Sequence, residues 1–542
     1  MSRPNPIYMA GFLLLVVAIY GAAALLKGGL YVGNYEGDTA HLVDLVLRLA
    51  AGERPHQDFM TPLGILGYAP IALFVRLGAG VGHAIMLGQV LVALCLVPAI
   101  WWAGVSRLSG AWPYLFGFFA LVLVLALSQG QVSSATSIAM YYNRWAWAAA
   151  YVAVLVAVTE PRHRRSALAD GLSIGMLMAF LALSKLTYFI SFAVPLLLAL
   201  ALRRQWAVIG IAAGAGAGVA ALVTLVAGVA FWGGYLGDLI TVASSGVRPY
   251  PTAPFLETLR LPTHIGGTLL MFLSVILLRQ AGQRYEGLIL LVLAPAFFYV
   301  TFQNFGNDPQ WTVLAGFLVL LMRPGEEVKN PFGWDLRQAL NMAAVAFFAI
   351  GSPAAFNMIY SPVVHFGAAD ADYTPFLPNR PDHADLKGEL ERSYQFKVSS
   401  APEYPAVAAQ ARALRPVAEK TVLNGEVLNW CEIGNGPVGW YRSMAQELDA
   451  AGYGGEDRIM VADILNVLWM FGDLKPLKGS GPWYYGGAPG LENTDYVLVP
   501  FCPYKTSERR RILKAIEARG VPLTEVYRSE LFILLRRGAI QG

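Results

Sequence analysis

Charged residues are scarce in this chain, and their scarcity excludes an ordinary soluble protein. Only 14% of its 542 residues are charged, whereas 56% are hydrophobic; soluble domains are about 25% charged. The net charge is +4 and no long basic run occurs, which argues against a nucleic-acid partner. Together with a mean hydropathy of +0.50, this composition indicates an integral membrane protein.

Cysteine is scarce as well. Three cysteines occur, and no Cys/His spacing indicates a zinc site. Cys95 lies in a hydrophobic run, whereas Cys431 and Cys502 lie in the more polar C-terminal part. A Cys431–Cys502 disulfide is compatible with a domain in an oxidising compartment, but the sequence does not supply the Cα distance on which a bridge depends.

Long hydrophobic runs fill the first two thirds of the chain. About twelve segments approach the length needed to cross a bilayer. They fall near residues 7–26, 62–77, 83–104, 112–128, 144–159, 170–184, 187–202, 207–231, 263–279, 286–303, 309–322 and 338–357. The first is too long for a signal-peptide core and lacks a small-residue cleavage site, so we interpret it as a retained helix.

The character of the chain changes after the last run. Residues 1–360 are predicted to form a polytopic α-helical membrane domain with about 12–13 transmembrane helices. Residues 361–542 contain more charge and proline and are predicted to form a separate soluble domain. In that domain short apolar strands near 426–433, 458–464, 496–501 and 531–536 alternate with helical patterns near 440–451 and 507–519. This alternation predicts a small α/β fold to which no chemistry can be assigned.

Positive charge indicates the orientation. Clusters of arginine and lysine lie between alternate runs, which predicts that those loops are cytoplasmic; they are residues 162–165, 203–204, 279–284 and 323–329. The first loop (27–61), the other intervening loops and the C-terminal domain then face outward. Twelve crossings would return the C-terminus to the cytoplasm. We therefore predict an odd number, with one crossing uncounted or one segment between residues 62 and 144 re-entrant.

The first loop carries acidic residues where a membrane protein would normally avoid them. It contains Tyr35, Glu36, Asp38, His41, Asp44, His56, Asp58 and Thr61. A carboxylate cluster held at the bilayer indicates a functional site. Residues 38–53 are predicted to form an amphipathic helix on the membrane surface, with Asp38 capping its N-terminus. Asp38, His41, Asp44 and Arg48 share one face that would point into a cavity.

These residue types suit acid–base chemistry. One carboxylate would deprotonate an acceptor hydroxyl, and a second would orient the acceptor or, as Glu36 with Asp38, hold a divalent cation such as Mg²⁺ or Mn²⁺. The alternative is structural: Asp38 as a helix cap, Asp58 as a turn residue, and His41 and His56 as satisfied interfacial polar groups.

The two-part pattern resembles a known family. Glu36-Gly37-Asp38, followed by Gly52-x-x-Pro55-His56-x-Asp58-Phe59-x-x-Pro62-Leu63-Gly64, is similar to segments of the GT-C glycosyltransferases. The similarity is to bacterial relatives of the dolichyl-phosphate-mannose protein mannosyltransferases and of the lipid A aminoarabinose transferase. It covers about residues 1–330, and His56 replaces the family's usual tyrosine. The resemblance implies that the Glu/Asp-x-Asp-type motif is catalytic.

Further candidates follow from the resemblance and from intramembrane charge. Lys185 lies between two apolar runs and needs an anionic partner; with Arg248 it would bind the phosphate of a polyprenyl-phosphate sugar, although snorkelling to lipid headgroups is the alternative. Polar residues that would line the cavity are Asn143, Arg144, Asn304 and Asp308. The alternatives are structural. Asn143 and Arg144 would lie in a belt of interfacial aromatic residues, and Asn304 and Asp308 would lie in a tight turn.

The expected function is glycosyl transfer. The enzyme would lie in the bacterial inner membrane and move a hexosyl or pentosyl group from a polyprenyl-phosphate donor to a periplasmic glycan or glycolipid, with inversion. Asp38 would be the general base, with Glu36 and Asp58 as further catalytic candidates. The main alternative is a transporter or flippase of a lipid-linked glycan, although no internal repeat of the kind transporters show is evident. A polysaccharide polymerase or ligase and a non-catalytic scaffold are weaker alternatives.

Overall fold

The computed structural model describes residues 3–130, 133–247, 254–304, 310–400 and 421–539. Helices dominate the part before residue 367. They are α1 Pro6–Leu25, α2 Glu36–Ala50, α3 Ala69–Arg76, α4 Val81–Arg107, α5 Trp112–Leu125, α6 Tyr141–Val158, α7 Ala167–Ser184, α8 Leu186–Leu202, α9 Trp206–Ala227, α10 Ala230–Ala243, α11 Phe255–Arg260, α12 Pro262–Gln280, α13 Arg284–Gln303, α14 Trp311–Met322 and α15 Leu336–Phe366.

The prediction of a polytopic helical membrane protein is confirmed. Within the described residues, seven helices are long and apolar enough to cross a membrane by length and composition: α1, α4, α7, α9, α12, α13 and α15. Three shorter apolar helices, α5, α8 and α14, accompany them, and the 18-residue α6 is buried along nearly its whole length. These eleven helices coincide with eleven of the predicted hydrophobic segments.

The exception is the segment at residues 62–77, which was wrongly counted as a crossing. It forms a 3-10 turn at Ile65–Gly67 and the eight-residue helix α3. At about 1.5 Å per residue such a helix spans about 12 Å, well short of the roughly 30 Å hydrocarbon core. Gly64, Gly67 and Pro70 interrupt the run, which explains why its hydropathy alone was misleading.

The loops predicted to be cytoplasmic meet at one end of the helix bundle. Arg162, after α6, donates its backbone N–H to the Ser106 carbonyl of α4 at 2.8 Å and its guanidinium to Leu321 of α14 at 2.7 Å. Arg203, after α8, lies 3.9 Å from Glu286 of α13. The basic turns therefore cluster together, as alternating helix directions require.

The intervening loops meet at the other end. In the first loop, Gly33 donates its N–H to Thr136, before α6, at 2.9 Å, and Gly64 donates to Ser184, at the end of α7, at 3.2 Å. The two sets of loops therefore lie at opposite ends of the helices, as the predicted alternation of cytoplasmic and outward loops requires. The odd number of crossings stays a prediction.

The C-terminal region is joined to the first loop rather than separate from it. The helix α15 continues past residue 360, so the expected domain boundary falls inside it. Beyond it, β1 (Leu30–Val32) pairs in parallel with β3 (Leu386–Glu389), which also pairs antiparallel with β2 (Tyr373–Pro375). One continuous hydrophobic core includes residues of the membrane helices, this sheet and the C-terminal region. The C-terminal region therefore packs against the first loop and the helices.

The rest of the C-terminal region has the predicted α/β character. Its helices are α16 Leu390–Tyr394, α17 Pro437–Ala450 and α18 Thr506–Ala518. Its strands are β4 Lys397–Ser400, β5 Thr421–Leu423, β6 Glu426–Leu428, β7 Cys431–Asn435, β8 Ile459–Val461, β9 Tyr496–Pro500, β10 Leu523–Arg528 and β11 Phe532–Arg537. The four-stranded sheet has the order β10-β11-β9-β8. Each predicted strand and helix is present, whereas α16 and the strands β4, β5 and β10 were not predicted.

Cys431 and Cys502 form a disulfide, with their Cα atoms 4.7 Å apart. It ties the start of β7 to the chain after β9. Of the alternatives left open by the sequence, the bridged state is therefore confirmed.

Candidate functional site

The acidic motif forms the first turn of α2. Tyr35, at φ 60°, is the N-cap residue and makes no side-chain capping bond, while Glu36 and Asp38 occupy the first turn. The N-cap is therefore Tyr35, three residues before Asp38, which was predicted to cap the helix. Both carboxylates still lie where the helix dipole favours negative charge.

Arg392 of the C-terminal region holds Glu36. Its Nε and Nη2 donate to the two Glu36 carboxylate oxygens at 2.6 and 3.0 Å, and Glu36 is only 8% exposed. These hydrogen bonds raise the pKa of Arg392. Both oxygens of Glu36 are thus engaged by a fixed guanidinium, which argues against a divalent cation shared between Glu36 and Asp38. Among the described residues, no three His, Cys, Asp or Glu side chains form a group that could hold a metal.

The polar face of α2 contacts the C-terminal region, not lipid or an open cavity. The buried Asp44 accepts a hydrogen bond from Trp469 Nε1 at 2.6 Å. Arg48 donates to the Leu477 carbonyl at 3.0 Å. Eleven of the 15 residues of α2 are buried, with α3 on one side. For His41, Asp44 and Arg48 the prediction of a polar stripe pointing into a cavity is wrong, because residues far along the chain return to cover them.

Burial affects the pKa of Asp44 and the packing of His41 on this face of α2. Burial raises the pKa of Asp44 to about 6, against the opposing effects of Arg48 and Trp469. His41 is 6% exposed and packs edge-on against Trp483 at 6.3 Å between ring centroids. Trp483 also lies within 4 Å of the space beside Gly37. The C-terminal region therefore reaches the acidic motif itself.

Asp58 is a turn carboxylate between two cations. It accepts hydrogen bonds from the Arg54 backbone N–H at 2.8 Å and from Arg54 Nε at 3.2 Å, and Lys478 Nζ lies 3.1 Å away. Burial opposes its ionisation, but these contacts outweigh it and lower the pKa of Asp58 to about 2. A carboxylate with so low a pKa is a weak proton acceptor, so the structure favours the turn role for Asp58 over catalysis.

His56 pairs with a residue that the sequence did not single out. Its Nδ1 lies 2.7 Å from Asp238 Oδ2, which also accepts the Thr61 backbone N–H at 3.1 Å. The stretch between the predicted runs 207–231 and 263–279 was expected to be an outward-facing loop. Most of α10 and all of α11 lie in it, and Asp238 is on α10. The signal in the sequence is a lone carboxylate in the otherwise apolar stretch of α10, which indicates a functional residue as Lys185 does.

Lys185 stands at the break between α7 and α8. Its Nζ lies 5.2 Å from the ring centroid of Tyr142, and no described carboxylate lies within ion-pair distance. The neighbouring Ser184 hydroxyl is buried and has no hydrogen-bond partner among the described residues. The backbone carbonyl of Ser184 accepts the Gly64 N–H. The break therefore lies close to the end of the first loop.

An apolar groove leads to this break. It has a volume of about 420 Å³ and is formed by α7, α8 and α9. Ala182, Leu183 and Trp232 line it close to Lys185, whereas Ile174 and Leu200 line it farther along the helices. The groove thus extends along three apolar helices to the residues just before the half-buried Lys185.

Asn143 and Arg144 begin α6 and are both buried. Neither polar atom of the Asn143 side chain has a partner among the described residues, and Arg144 uses only Nη1, which donates to Leu123 at 3.0 Å. By contrast, Asn304 donates to Val300 of its own helix at 2.6 Å, which indicates a capping role. Arg248 and Asp308 lie outside the described residues.

Comparisons with known proteins do not assign the chain to a family. No known protein family matches the sequence, and no curated protein matches it. A solved structure, the arabinofuranosyltransferase AftD from Mycobacteria, is similar with a TM-score of 0.35 and 9% identity. The match covers 99% of this chain but spans only 40% of that one. At this TM-score the likeness supports no statement about activity.

Proposed function

We propose that the protein is a membrane glycosyltransferase that moves a sugar from a polyprenyl-phosphate donor to a hydroxyl of a glycan or glycolipid. The observation that carries the proposal is the position of Lys185. This cation lies at the break between α7 and α8, two residues after Leu183 of the apolar groove, and its neighbour Ser184 contacts Gly64, just after the first loop. An isoprenoid chain would fill the groove and present its phosphate to Lys185.

The chemistry of the groove supports this sugar donor. A cation buried among apolar helices is stable only when it is paired or solvated, and a phosphate supplies charge-assisted hydrogen bonds. The partnerless Ser184 hydroxyl adds a hydrogen-bond donor at the same place, and Asn143 and Arg144 offer further buried polar atoms to the sugar. Arg248 is retained as a second phosphate-binding candidate on the resemblance alone.

Asp38 is the proposed general base. Glu36 is bound by Arg392, and Asp58 is held by Arg54 and Lys478, so these two carboxylates serve to position the loop. Asp38 would accept the proton of the acceptor hydroxyl as its oxygen attacks the anomeric carbon. The bond from that carbon to the phosphate oxygen breaks, and the phosphate leaves with the electron pair. Attack opposite the leaving group inverts the anomeric centre, through a transition state with oxocarbenium character.

The C-terminal region would hold the acidic loop in place for this step. It contributes β3, Arg392, Trp469 and Lys478 to contacts with the first loop. With the basic turns in the cytoplasm, this region and the site would face the periplasm of a bacterial inner membrane, where a disulfide is stable.

The test is the Asp38→Asn variant, with Asp372→Asn as a matched control at an exposed carboxylate of the same end. We expect Asp38→Asn to lose transfer from a polyprenyl-phosphate sugar while it still binds prenyl phosphate, and the control to retain both. Mass spectrometry of cell-envelope glycans and transfer by the purified protein are the measurements. Unchanged glycans in Asp38→Asn cells would remove the base assignment. If the protein moves a lipid-linked glycan across the membrane and transfers no sugar, the function is that of a flippase rather than a glycosyltransferase.

A further inference from the structure

The His56–Asp238 pair leaves one imidazole nitrogen for a ligand. Nδ1 is engaged by Asp238 at 2.7 Å, and the imidazole side chain is fully buried. Phe231 and Tyr235 of α10 pack on the ring, with centroids 5.3 and 4.8 Å away. Nε2 is buried and has no hydrogen-bond partner among the described residues. A carboxylate on Nδ1 fixes the orientation of the ring and leaves Nε2 as the reactive atom.

The fold itself holds His56 in this position. Its φ is +64°, a conformation that residues other than glycine seldom adopt. The hairpin is closed by the hydrogen bond from His56 N to Phe59 O at 2.8 Å. Helix α10 approaches so closely at Gly234 that a Cβ there would lie 2.1 Å from the His56 carbonyl oxygen. The imidazole is therefore placed before any ligand binds.

The pair lies next to the Lys185 break. Tyr235 donates its hydroxyl to the Ala182 carbonyl at 2.7 Å, and Ala182 lines the apolar groove with Trp232. Tyr235 also packs in one apolar cluster with Leu183. The hydroxyl of Tyr68, which lies near Asp238 and Tyr235, is buried without a partner among the described residues. Several unsatisfied polar groups therefore surround the head of the groove.

We propose that His56 Nε2 binds the phosphate of the lipid-linked ligand together with Lys185, and that the imidazole takes up one proton when the phosphate arrives. This inference rests on the proposed sugar donor. An imidazole between the Asp238 carboxylate and a phosphate has an anion on either side, and both favour its charged form. The proton comes from solvent and stays on the ring, and Nε2–H then donates to a phosphate oxygen while Asp238 and the phosphate remain ionised.

The titratable groups around the imidazole are carboxylates, tyrosines and Lys185, the other cation of the proposed phosphate site; comparison with His56→Gln separates proton uptake by Lys185 from proton uptake by the ring. Asp238 and Tyr235 face it from α10, and Tyr68 lies beside those two. On its own hairpin, Asp58 points to Arg54 and Lys478. Tyrosines and an ion-paired carboxylate do not change charge between about pH 6 and pH 8, where imidazole does.

The experiment measures binding of a short prenyl methyl phosphodiester to the full chain in detergent, by calorimetry in two buffers that differ in protonation enthalpy. The single charge of this probe does not titrate near neutral pH. We expect affinity to rise as the pH falls from about 8 to about 6, with uptake of close to one proton. His56→Gln should bind about tenfold more weakly at low pH, the usual size of one charge-assisted hydrogen bond, and should lose the proton uptake.

His83→Gln is the matched control. His83 Nδ1 also lies 2.7 Å from a carboxylate, that of Asp385, but its side chain is 34% exposed, so this variant should bind like the parent protein. The prenyl alcohol without phosphate should show no pH-dependent binding. Asp238→Asn should reduce the proton uptake even if His56→Gln fails to fold.

The outcomes separate the two proposals. Binding that requires Lys185 but takes up no proton and does not change with pH overturns the role of His56 and leaves the proposed sugar donor standing. A parent protein that fails to bind the phosphodiester at any pH overturns both.

Discussion

Asp44→Asn is predicted to stabilise the protein at neutral pH, although it alters a buried residue with a tightly bound partner. Burial raises the pKa of Asp44 from 3.8 to about 6. Since one pKa unit corresponds to 1.36 kcal/mol, the shift of about two units costs the folded state about 3 kcal/mol when Asp44 is ionised. Asparagine removes that charge while its Oδ1 can still accept from Trp469.

The expected gain is smaller than the full penalty. Asp44 Oδ2 is buried without a partner among the described residues, and the amide nitrogen that replaces it would remain unsatisfied at a cost of about 1 kcal/mol or more. Arg48 keeps its ion pair with Glu53 at 2.7 Å, so the variant does not leave a bare cation. We expect a net gain of about 1–2 kcal/mol at neutral pH.

The pH dependence is the diagnostic. A carboxyl whose pKa is raised by folding binds more protons when folded, so the parent protein should lose stability as the pH rises from about 4 to about 6. The variant should lack this component, and its advantage should vanish near pH 4. Thermal unfolding in detergent across this range is the assay, with Asp382→Asn at an exposed carboxylate as control. An Asp44→Asn variant that is less stable than the parent by the same amount at every pH would refute the reasoning.

Two further predictions concern the C-terminal region. Arg392→Ala should lower the free energy of unfolding by about 1–3 kcal/mol, because it leaves the buried Glu36 carboxylate unpaired while the 40% exposure of Arg392 weakens the pair below a fully buried one. Glu36→Gln in the same chain should recover most of that loss, and equal losses in both backgrounds would contradict the pairing. Reduction of the Cys431–Cys502 bridge, whose cysteines are 71 residues apart, should destabilise the C-terminal region by about 4 kcal/mol. Limited proteolysis with and without reductant measures this, and identical cleavage would argue that the region is stable without the bridge.

The sequence predicts best where the signal is local. The periodicity from residue 38 to 53 predicted α2 to within a few residues, because four polar positions on one face are readable from spacing alone. The C-terminal strands were likewise found from short apolar runs. The short helix in place of a long one at residues 62–77 was not predicted, since a hydropathy average ignores the glycines that break a helix.

The contacts that define the site are not local, and the sequence does not contain them in readable form. Arg392 meets Glu36 across 356 residues, and Asp238 meets His56 across 182. A polar helix face indicates only that something polar lies opposite. Whether that is water, a ligand or Trp469 depends on how a distant segment returns. Both the wrong surface-helix prediction and the missed Asp238 follow from this limit.

The parallel pairing of β1 with β3 sets an order of events during synthesis. Ribosomes make chains from the N-terminus, so all fifteen helices up to α15 among the described residues exist before β3 emerges. Until then the first loop lacks the strand that fixes Leu30–Val32 and the guanidinium that binds Glu36. Pairing over so long a separation is slow to form. The helix bundle is therefore complete before the first loop acquires these contacts, so a chain cut short before residue 386 would have all its membrane helices but not the strand and the guanidinium that hold the acidic motif.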